Sequence, residues 1–173
     1  DHFADDEEHA LDKVRSVVAH LNTRKPDQLA LVPPEDPAYD PDEILGVNDR
    51  VQLAEAAAIM RDRINGAWMR AGVSILDPSS TWIDVDVDLA VDVTIRPQVT
   101  LRGPTSVSTG AILGPGTTLT ACEVGSGAEV IHTWAELAVI GEAAKVGPFT
   151  FLRPGTVLGR GAKAGAYVEI KNS

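Results

Sequence analysis

The stretch IDVDVDLAVDVTIRPQVTLRGPTSVSTGAILGPGTTL, residues 83–119, decides the fold, because an aliphatic residue returns at every sixth position. The six-residue period shifts after residue 119, is interrupted in an irregular stretch, and then continues to residue 170. A fixed period of this kind predicts a solenoid, whereas an amphipathic helix needs apolar residues three and four apart. The aliphatic positions are Ile83, Leu89, Ile95, Leu101, Val107, Leu113, Leu119, Val124, Val130, Ile140, Val146, Leu152, Leu158, Ala164 and Ile170.

Each hexad is interpreted as one flat side of a triangular coil, with three sides to a turn. The aliphatic residue fills the axis, and a small or branched residue four positions later lies under the corner. The backbone of each coil pairs with the next coil at about 4.8 Å. Glycines that follow the aliphatic position, such as Gly114 and Gly147, are expected where the chain bends sharply. The period does not determine the handedness of the coil.

Composition limits the partners that the chain can take. Of its 173 residues, 15 are basic and 25 acidic, for a net charge of −10, which argues against a nucleic acid or an anionic membrane as partner. No apolar run is long enough to span a bilayer and no leader-like segment opens the chain, so we expect a cytoplasmic protein. The single cysteine, Cys122, excludes an internal disulfide and is interpreted as a small outward or corner residue.

The segments before the hexads have a different pattern. Residues 1–10 form an acidic tail, residues 11–21 have the spacing of a short amphipathic helix, residues 29–32 fit a strand, and residues 33–41 form a proline-rich loop. Asn48 is expected to cap a longer helix from Asp49 to Ala71, which ends at Gly72. Its predicted apolar stripe, which must pack on the first coil or a partner, consists of Val51, Met60, Ile64 and Trp68.

Four stretches together suggest a family: GVNDRVQLAEA (46–56), AGVSILDPSSTWID (71–84), VGPFTFLRPGTVLG (146–159) and GAYVEIKNS (165–173). Over residues 44–173 the chain resembles the middle portion of the bacterial bifunctional enzymes UDP-N-acetylglucosamine pyrophosphorylase / glucosamine-1-phosphate N-acetyltransferase, the GlmU family. The resemblance implies a mainly β fold, a left-handed parallel β-helix of hexapeptide repeats preceded by a connector α-helix and a remnant of an α/β nucleotidyltransferase domain. The expected domains are residues 1–47 for the remnant, 48–72 for the connector and 73–173 for a truncated acetyltransferase β-helix.

The resemblance also implies the chemistry. Enzymes of this family transfer an acetyl group from acetyl-CoA to glucosamine 1-phosphate and then a uridylyl group from UTP, with Mg²⁺. The glycine-rich nucleotide loop has no equivalent in residues 1–45, and the family's catalytic histidine would lie beyond the end of this sequence. We therefore expect no catalytic residue, no bound cofactor and no acetyltransferase activity in this chain by itself.

Two cations are the candidate substrate-binding residues. Arg153 and Lys171 each follow an aliphatic position and are eighteen residues apart, which places them on the same side of successive coils. At about 5 Å their repulsion is near 1 kcal/mol in water and larger in a pocket, so a bound anion would relieve it. By resemblance both residues contact the sugar phosphate or UDP-sugar. Lys145 and Lys163 are also eighteen apart, so the spacing alone is a weak signal.

Three other features have ordinary structural interpretations. Asn48 matches the family residue that helps to hold magnesium, but it also fits a helix cap. His132, in an irregular stretch, is interpreted as a loop or coil-edge residue rather than a catalytic one. The aspartates between residues 84 and 92 lack the glycine and glutamate of a calcium loop, so they are interpreted as a solvated strand face.

A non-catalytic hexapeptide scaffold that trimerises is the alternative. Hexad prisms commonly associate side by side in threes, and we expect a homotrimer for either function. The last coil ends without a cap, which favours a truncated enzyme over a natural scaffold. A zinc enzyme of the trimeric carbonic anhydrase type would need several histidines, and the hexads contain one.

Overall fold

The structure is a computed structural model that describes residues 47–171. The predicted acidic tail, the helix at 11–21, the strand at 29–32, the proline-rich loop and the nucleotidyltransferase remnant lie outside the described residues.

One long helix, α1 (Arg50–Arg70), precedes the solenoid. Its N-cap is Asp49 and not the predicted Asn48: the Asp49 carboxylate accepts a hydrogen bond from the backbone N–H of Gln52 at 2.8 Å. A carboxylate satisfies a free N–H of the first turn and also suits the positive end of the helix dipole, so Asp49 is the better cap. The Asn48 N–H instead donates to the Gln52 side chain at 2.7 Å.

The rest of the described chain is a parallel β-solenoid of about five turns, interrupted only near its start by a short 3₁₀ helix at Pro78–Ser80. Its strands, mostly of two residues, are β1 (Ser74–Ile75), β2 (Trp82–Ile83), β3 (Asp88–Leu89), β4 (Thr94–Ile95), β5 (Thr100–Arg102), β6 (Ser106–Val107), β7 (Ile112–Leu113), β8 (Thr118–Thr120), β9 (Glu123–Val124), β10 (Glu129–Val130), β11 (Thr133–Glu136), β12 (Val139–Ile140), β13 (Lys145–Val146), β14 (Thr150–Leu152), β15 (Val157–Leu158), β16 (Lys163–Ala164) and β17 (Glu169–Ile170).

Every third strand joins the same sheet. Sheet A has the order β1-β4-β7-β10-β13-β16, sheet B the order β2-β5-β8-β11-β14-β17, and sheet C the order β3-β6-β9-β12-β15. All the pairs are parallel, so the three sheets are the three sides of a prism. The predicted hexad coil is confirmed, and the arrangement is consistent with a left-handed parallel β-helix.

The predicted aliphatic positions form the core. Within sheet B, Ile83, Leu101 and Leu119 are in register on successive coils, and Leu101 and Leu119 are completely buried. The gap in the count between residues 130 and 140 is filled by Ala135, which is fully buried and lies in register between Leu119 and Leu152. Five-residue sides replace hexads at this point, and alanine is too common a residue to mark the position in the sequence.

The glycines do more than bend the chain. Gly147 has φ of 100°, as the predicted bend requires. Gly114 has no positive φ, and its role is close packing: a Cβ there would lie 1.9 Å from Cγ2 of Ile131 on the next coil. The prediction of a sharp bend was therefore wrong for Gly114, because a missing side chain, not backbone freedom, is what the site needs.

Half of the predicted apolar stripe of α1 packs on the solenoid. Trp68 is buried against the first coil, and Ile64 packs beside it. Val51 and Met60, by contrast, are 67% and 50% exposed, so they are not part of this contact. Polar Asn65 takes part instead, completely buried between the helix and the first coil.

Cys122 is buried under the corner before β9, which corrects the outward option in its prediction. Burial raises the pKa of the thiol to about 11, because the charged thiolate loses its hydration there. The thiol is therefore protonated and enclosed at neutral pH. Among residues 47–171, no helix combines the length and the apolar character that crossing a membrane would require.

Candidate functional site

The candidate site lies on the outer side of sheet B and on the corner that precedes it. Strands β11, β14 and β17 are consecutive in this sheet. Because side chains alternate along a strand, the residues between the core positions point outward. The register therefore stacks the outward residues Trp134, Phe151 and Glu169 in one column.

A second column stands at the corner before sheet B. His132 and Phe149 stack with ring centroids 5.3 Å apart, and Phe149 and Tyr167 stack at 5.4 Å, with planes 25° and 18° from parallel. All three residues have a positive φ, at 42°, 58° and 59°. The chain must turn at each corner, and the same turn on successive coils places one ring above another. His132 is thus a corner residue, as its coil-edge interpretation predicted.

The two columns border an open cleft of about 570 Å³. Trp134 and Phe149 on its walls are about half exposed, and Tyr167 is 84% exposed. The charged residues Arg153 and Glu169 also line it. Partly exposed aromatic rings beside charged residues provide a surface for a ligand that has both apolar parts and an ionic group.

Arg153 and Lys171 have the predicted relationship in the backbone. Leu152 and Ile170 are register partners in β14 and β17, and each cation follows one of them. The main-chain N–H of Arg153 donates to the main-chain carbonyl oxygen of Ile170 at 3.0 Å. The two positions therefore lie on successive coils at the same corner of the prism, while their role in binding a substrate stays a prediction.

Glu169 forms an ion pair with Arg153 that the sequence analysis missed. Nε of Arg153 lies 2.5 Å from Oε1 of Glu169, and both side chains are somewhat less than half exposed. The guanidinium carbon also lies over the ring of Phe151, 5.7 Å from its centroid. The cation therefore already has an anion beside it, so repulsion from Lys171 is a weaker reason to bind a ligand than the sequence suggested.

The other stacked lysines form a useful contrast. Lys145 and Lys163 are register partners in sheet A, and Nζ of Lys145 lies 3.5 Å from a carboxylate oxygen of Glu129. Neither lysine lines the cleft. The same eighteen-residue spacing thus occurs on a plain solvated face, which confirms that spacing alone does not identify a site.

The magnesium-binding role of Asn48 stays a prediction. Asn48 is exposed, and the neighbouring Asp49 carboxylate is used as the helix cap. Within residues 47–171, no group of three or more His, Cys, Asp or Glu side chains is placed to hold a metal ion. This includes the aspartates between residues 84 and 92. One of them, Asp84, accepts a hydrogen bond from the Gly103 N–H at 3.0 Å.

The stack of three rings, which sequence reasoning missed, had one available signal. His132, Phe149 and Tyr167 are seventeen and eighteen residues apart, close to one full turn, and an aromatic residue is uncommon in this chain. Glu169 had no such signal, because its contact depends on the direction of the Arg153 side chain and not on position alone.

Three curated proteins that are similar to this chain are each described as a bifunctional protein GlmU. The protein of Kineococcus radiotolerans is 60% identical over 131 residues, which are 76% of this chain and 27% of that protein. The protein of Rhodococcus jostii is 54% identical over 134 residues, or 78% of this chain and 27% of its own length. The protein of Cutibacterium acnes is 55% identical over 128 residues, which are 74% of this chain and 31% of that protein. The chain therefore spans less than a third of these relatives.

No family model matches the chain. Among solved structures, a mutant perosamine N-acetyltransferase from Caulobacter crescentus in complex with CoA and GDP-perosamine aligns with a TM-score of 0.41 and 18% identity. The alignment covers 69% of this chain and 60% of that one. A likeness of this size is too weak to support a conclusion about function.

Proposed function

We propose that this chain, which resembles the middle portion of the bifunctional protein GlmU, is the part of such an enzyme that holds the connector helix and the first coils of its acetyltransferase β-helix. The observation that carries the proposal is the 60% identity over 131 residues to the Kineococcus radiotolerans protein. The fold supports it, because helix α1 and the solenoid together hold most of the four stretches that carry the resemblance. The whole enzyme would act in the cytoplasm on the route to UDP-N-acetylglucosamine.

The contribution of this chain to acetyl transfer is binding and not proton transfer. The sugar amine must lose a proton before it attacks the thioester of acetyl-CoA, so the complete site needs a general base. His132 is the one histidine among residues 47–171, and it stacks on Phe149 at the corner before sheet B, whereas Arg153 and Lys171 are at the corner after it. The base would therefore come from another part of the enzyme.

Arg153 and Lys171 are proposed to bind the phosphate of glucosamine 1-phosphate. Arginine offers a planar fork of donors that matches two phosphate oxygens, and lysine adds a point charge beside it. The aromatic walls of the cleft offer apolar surface close to Arg153. Acetyl-CoA would be the co-substrate of the complete enzyme, and Mg²⁺, with Asn48 among its proposed ligands, would serve its uridylyl transfer.

A homotrimer is also proposed. Sheet B carries two exposed tryptophans, Trp82 and Trp134, at 42% and 52% exposure. Large exposed rings on one side of a prism favour a protein contact there. Light scattering during gel filtration tests this: the proposal predicts three times the chain mass of 18.3 kDa, and a monomer at micromolar concentration would contradict it.

The substrate-binding proposal is tested by calorimetry of glucosamine 1-phosphate with the wild-type chain, with Arg153→Ala and with Lys163→Ala. Loss of a charged hydrogen bond predicts that Arg153→Ala lowers the affinity by at least about 10-fold. Lys163 belongs to the stacked lysines away from the cleft, so Lys163→Ala should bind as the wild type does. Equal affinities for all three proteins, or no binding by any, would contradict the proposal and favour a non-catalytic scaffold.

A further inference from the structure

The guanidinium of Arg153, at the corner after sheet B, has two neighbours from that sheet. Phe151, in β14, lies two residues before Arg153. Glu169 is the register partner of Phe151 on the next coil. The guanidinium carbon thus lies over the Phe151 ring, 5.7 Å from its centroid, and Nε lies 2.5 Å from Oε1 of Glu169.

The edge of the Arg153 guanidinium that Glu169 contacts determines which N–H donors remain for a ligand. A guanidinium has five N–H donors, one on Nε and two on each Nη atom. Glu169 contacts Nε, at the side of the group. Bidentate binding of a phosphate can use the far edge, where both Nη atoms present parallel donors. Pairing at Nε is therefore compatible with phosphate binding at the other edge.

We propose that Glu169 is a positioning residue, which holds Arg153 by Nε over the Phe151 ring so that the two Nη atoms face the ligand. This rests on the proposed function, since the ligand is the phosphate of the sugar. A partly exposed arginine otherwise samples many rotamers, and a ligand would have to immobilise it at a cost in affinity.

Competition between Glu169 and the phosphate for Arg153 would have the opposite effect on the affinity for the ligand. If Glu169 only neutralised Arg153 and repelled the phosphate, removing its charge in any way would strengthen binding. If Glu169 positions Arg153, the effect depends on whether the acceptor oxygen is kept. Glu169→Gln keeps an oxygen that can accept from Nε–H, while Glu169→Ala removes it. The pair of variants therefore separates the two roles by the sign of the change.

The first measurement needs no ligand. In the ¹⁵N-labelled chain, the Nε–Hε signal of Arg153 is assigned by its loss in Arg153→Lys, and its exchange with water is measured at about pH 6, where glutamate side chains are ordinarily ionised. Positioning predicts slow exchange in the wild type and in Glu169→Gln, and fast exchange in Glu169→Ala. Equal exchange in the wild type and Glu169→Ala would show that the pair does not hold the side chain, which overturns the proposal.

The second measurement is the affinity for glucosamine 1-phosphate. Positioning predicts that Glu169→Ala binds about 2- to 10-fold more weakly than the wild type, the cost of ordering one long side chain. Glu169→Gln should bind at least as tightly as the wild type, because it keeps an acceptor oxygen for Nε–H and loses a repelling charge. Tighter binding by both variants would establish competition and overturn the proposal.

The control is another exposed ion pair of the solenoid. Nη2 of Arg160 lies 3.2 Å from Oε1 of Glu142, away from the cleft, so Glu142→Ala should leave both readouts unchanged. A change as large as that of Glu169→Ala would indicate a general effect of charge and contradict the specific role. If the wild type binds no sugar phosphate, the proposed function fails, and the positioning of Arg153 is decided by the exchange measurement.

Discussion

Asn65, completely buried in α1, donates a hydrogen bond from Nδ2 to the main-chain carbonyl oxygen of Thr81 at 3.0 Å. The same amide donates to the carbonyl oxygen of Pro78 at 2.9 Å. Both acceptors belong to the segment between the first two strands of the solenoid. One side chain therefore fixes the helix to the first coil, next to the buried ring of Trp68.

We predict that Asn65→Ala lowers the free energy of unfolding by about 1–3 kcal/mol, because two carbonyl groups lose their donor in a dry contact. Urea denaturation followed by circular dichroism measures the change. Met60→Ala, at a half-exposed position on the same helix, is the matched control and should stay within about 0.5 kcal/mol of the wild type. Equal losses for both variants would mean that the helix is not held by Asn65.

Gly114→Ala should destabilise the solenoid by about 1–3 kcal/mol, because the new Cβ would overlap Ile131 and force the coils apart. Gly159→Ala is the control, since a Cβ there meets nothing within 4 Å and Gly159 has no positive φ. Combining Gly114→Ala with Ile131→Ala should cost less than the sum of the two single changes. Strict additivity of the two losses would show that the overlap is not the cause.

Cys122 should be inert in the native protein. A shift of the thiol pKa from 9.0 to about 11 leaves little thiolate at pH 8. We expect labelling by a disulfide reagent more than about 100-fold slower than for an exposed thiol. The matched exposed thiol is Arg160→Cys in a Cys122→Ala background, because the Arg160 side chain is 79% exposed. Equal labelling rates would contradict the burial of Cys122.

The same shift gives the stability a pH dependence. The folded state keeps the Cys122 thiol protonated while the unfolded chain ionises it first, so the contribution is fully present below pH 9.0 and is lost as pH rises towards about 11. Over this window the free energy of unfolding should decrease more for the wild type than for Cys122→Ala. Parallel pH profiles for the two proteins would contradict the prediction.

The period of six was enough to predict the prism, its core and the register of Arg153 with Lys171. It failed where a side of the coil has five residues, because Ala135 fills the axis without standing out from other alanines. The capping preference of asparagine also led to a wrong N-cap for α1: Asn48 was predicted, one position before the Asp49 carboxylate that accepts the hydrogen bond. Both errors arise because neighbouring residues of similar character compete for one structural position.

The candidate site was less accessible to sequence reasoning. Position along the chain predicts which residues share a corner, and this was sufficient for Arg153 and would have been for the His132, Phe149 and Tyr167 stack. The Arg153–Glu169 contact depends on side-chain rotamers, which a spacing rule does not contain. The charge balance at the site therefore differs from the prediction of two unbalanced cations.

The most direct test of the central claim is a chimeric enzyme. In the Kineococcus radiotolerans protein, the segment that matches this chain is replaced by the corresponding part of residues 47–171, and acetyl transfer from acetyl-CoA to glucosamine 1-phosphate is measured by thiol release. The account predicts activity comparable with the parent, and a loss of about 10- to 100-fold in kcat/KM when Arg153→Ala is added. A folded chimera without acetyl transfer, or one that Arg153→Ala leaves unchanged, would contradict the account.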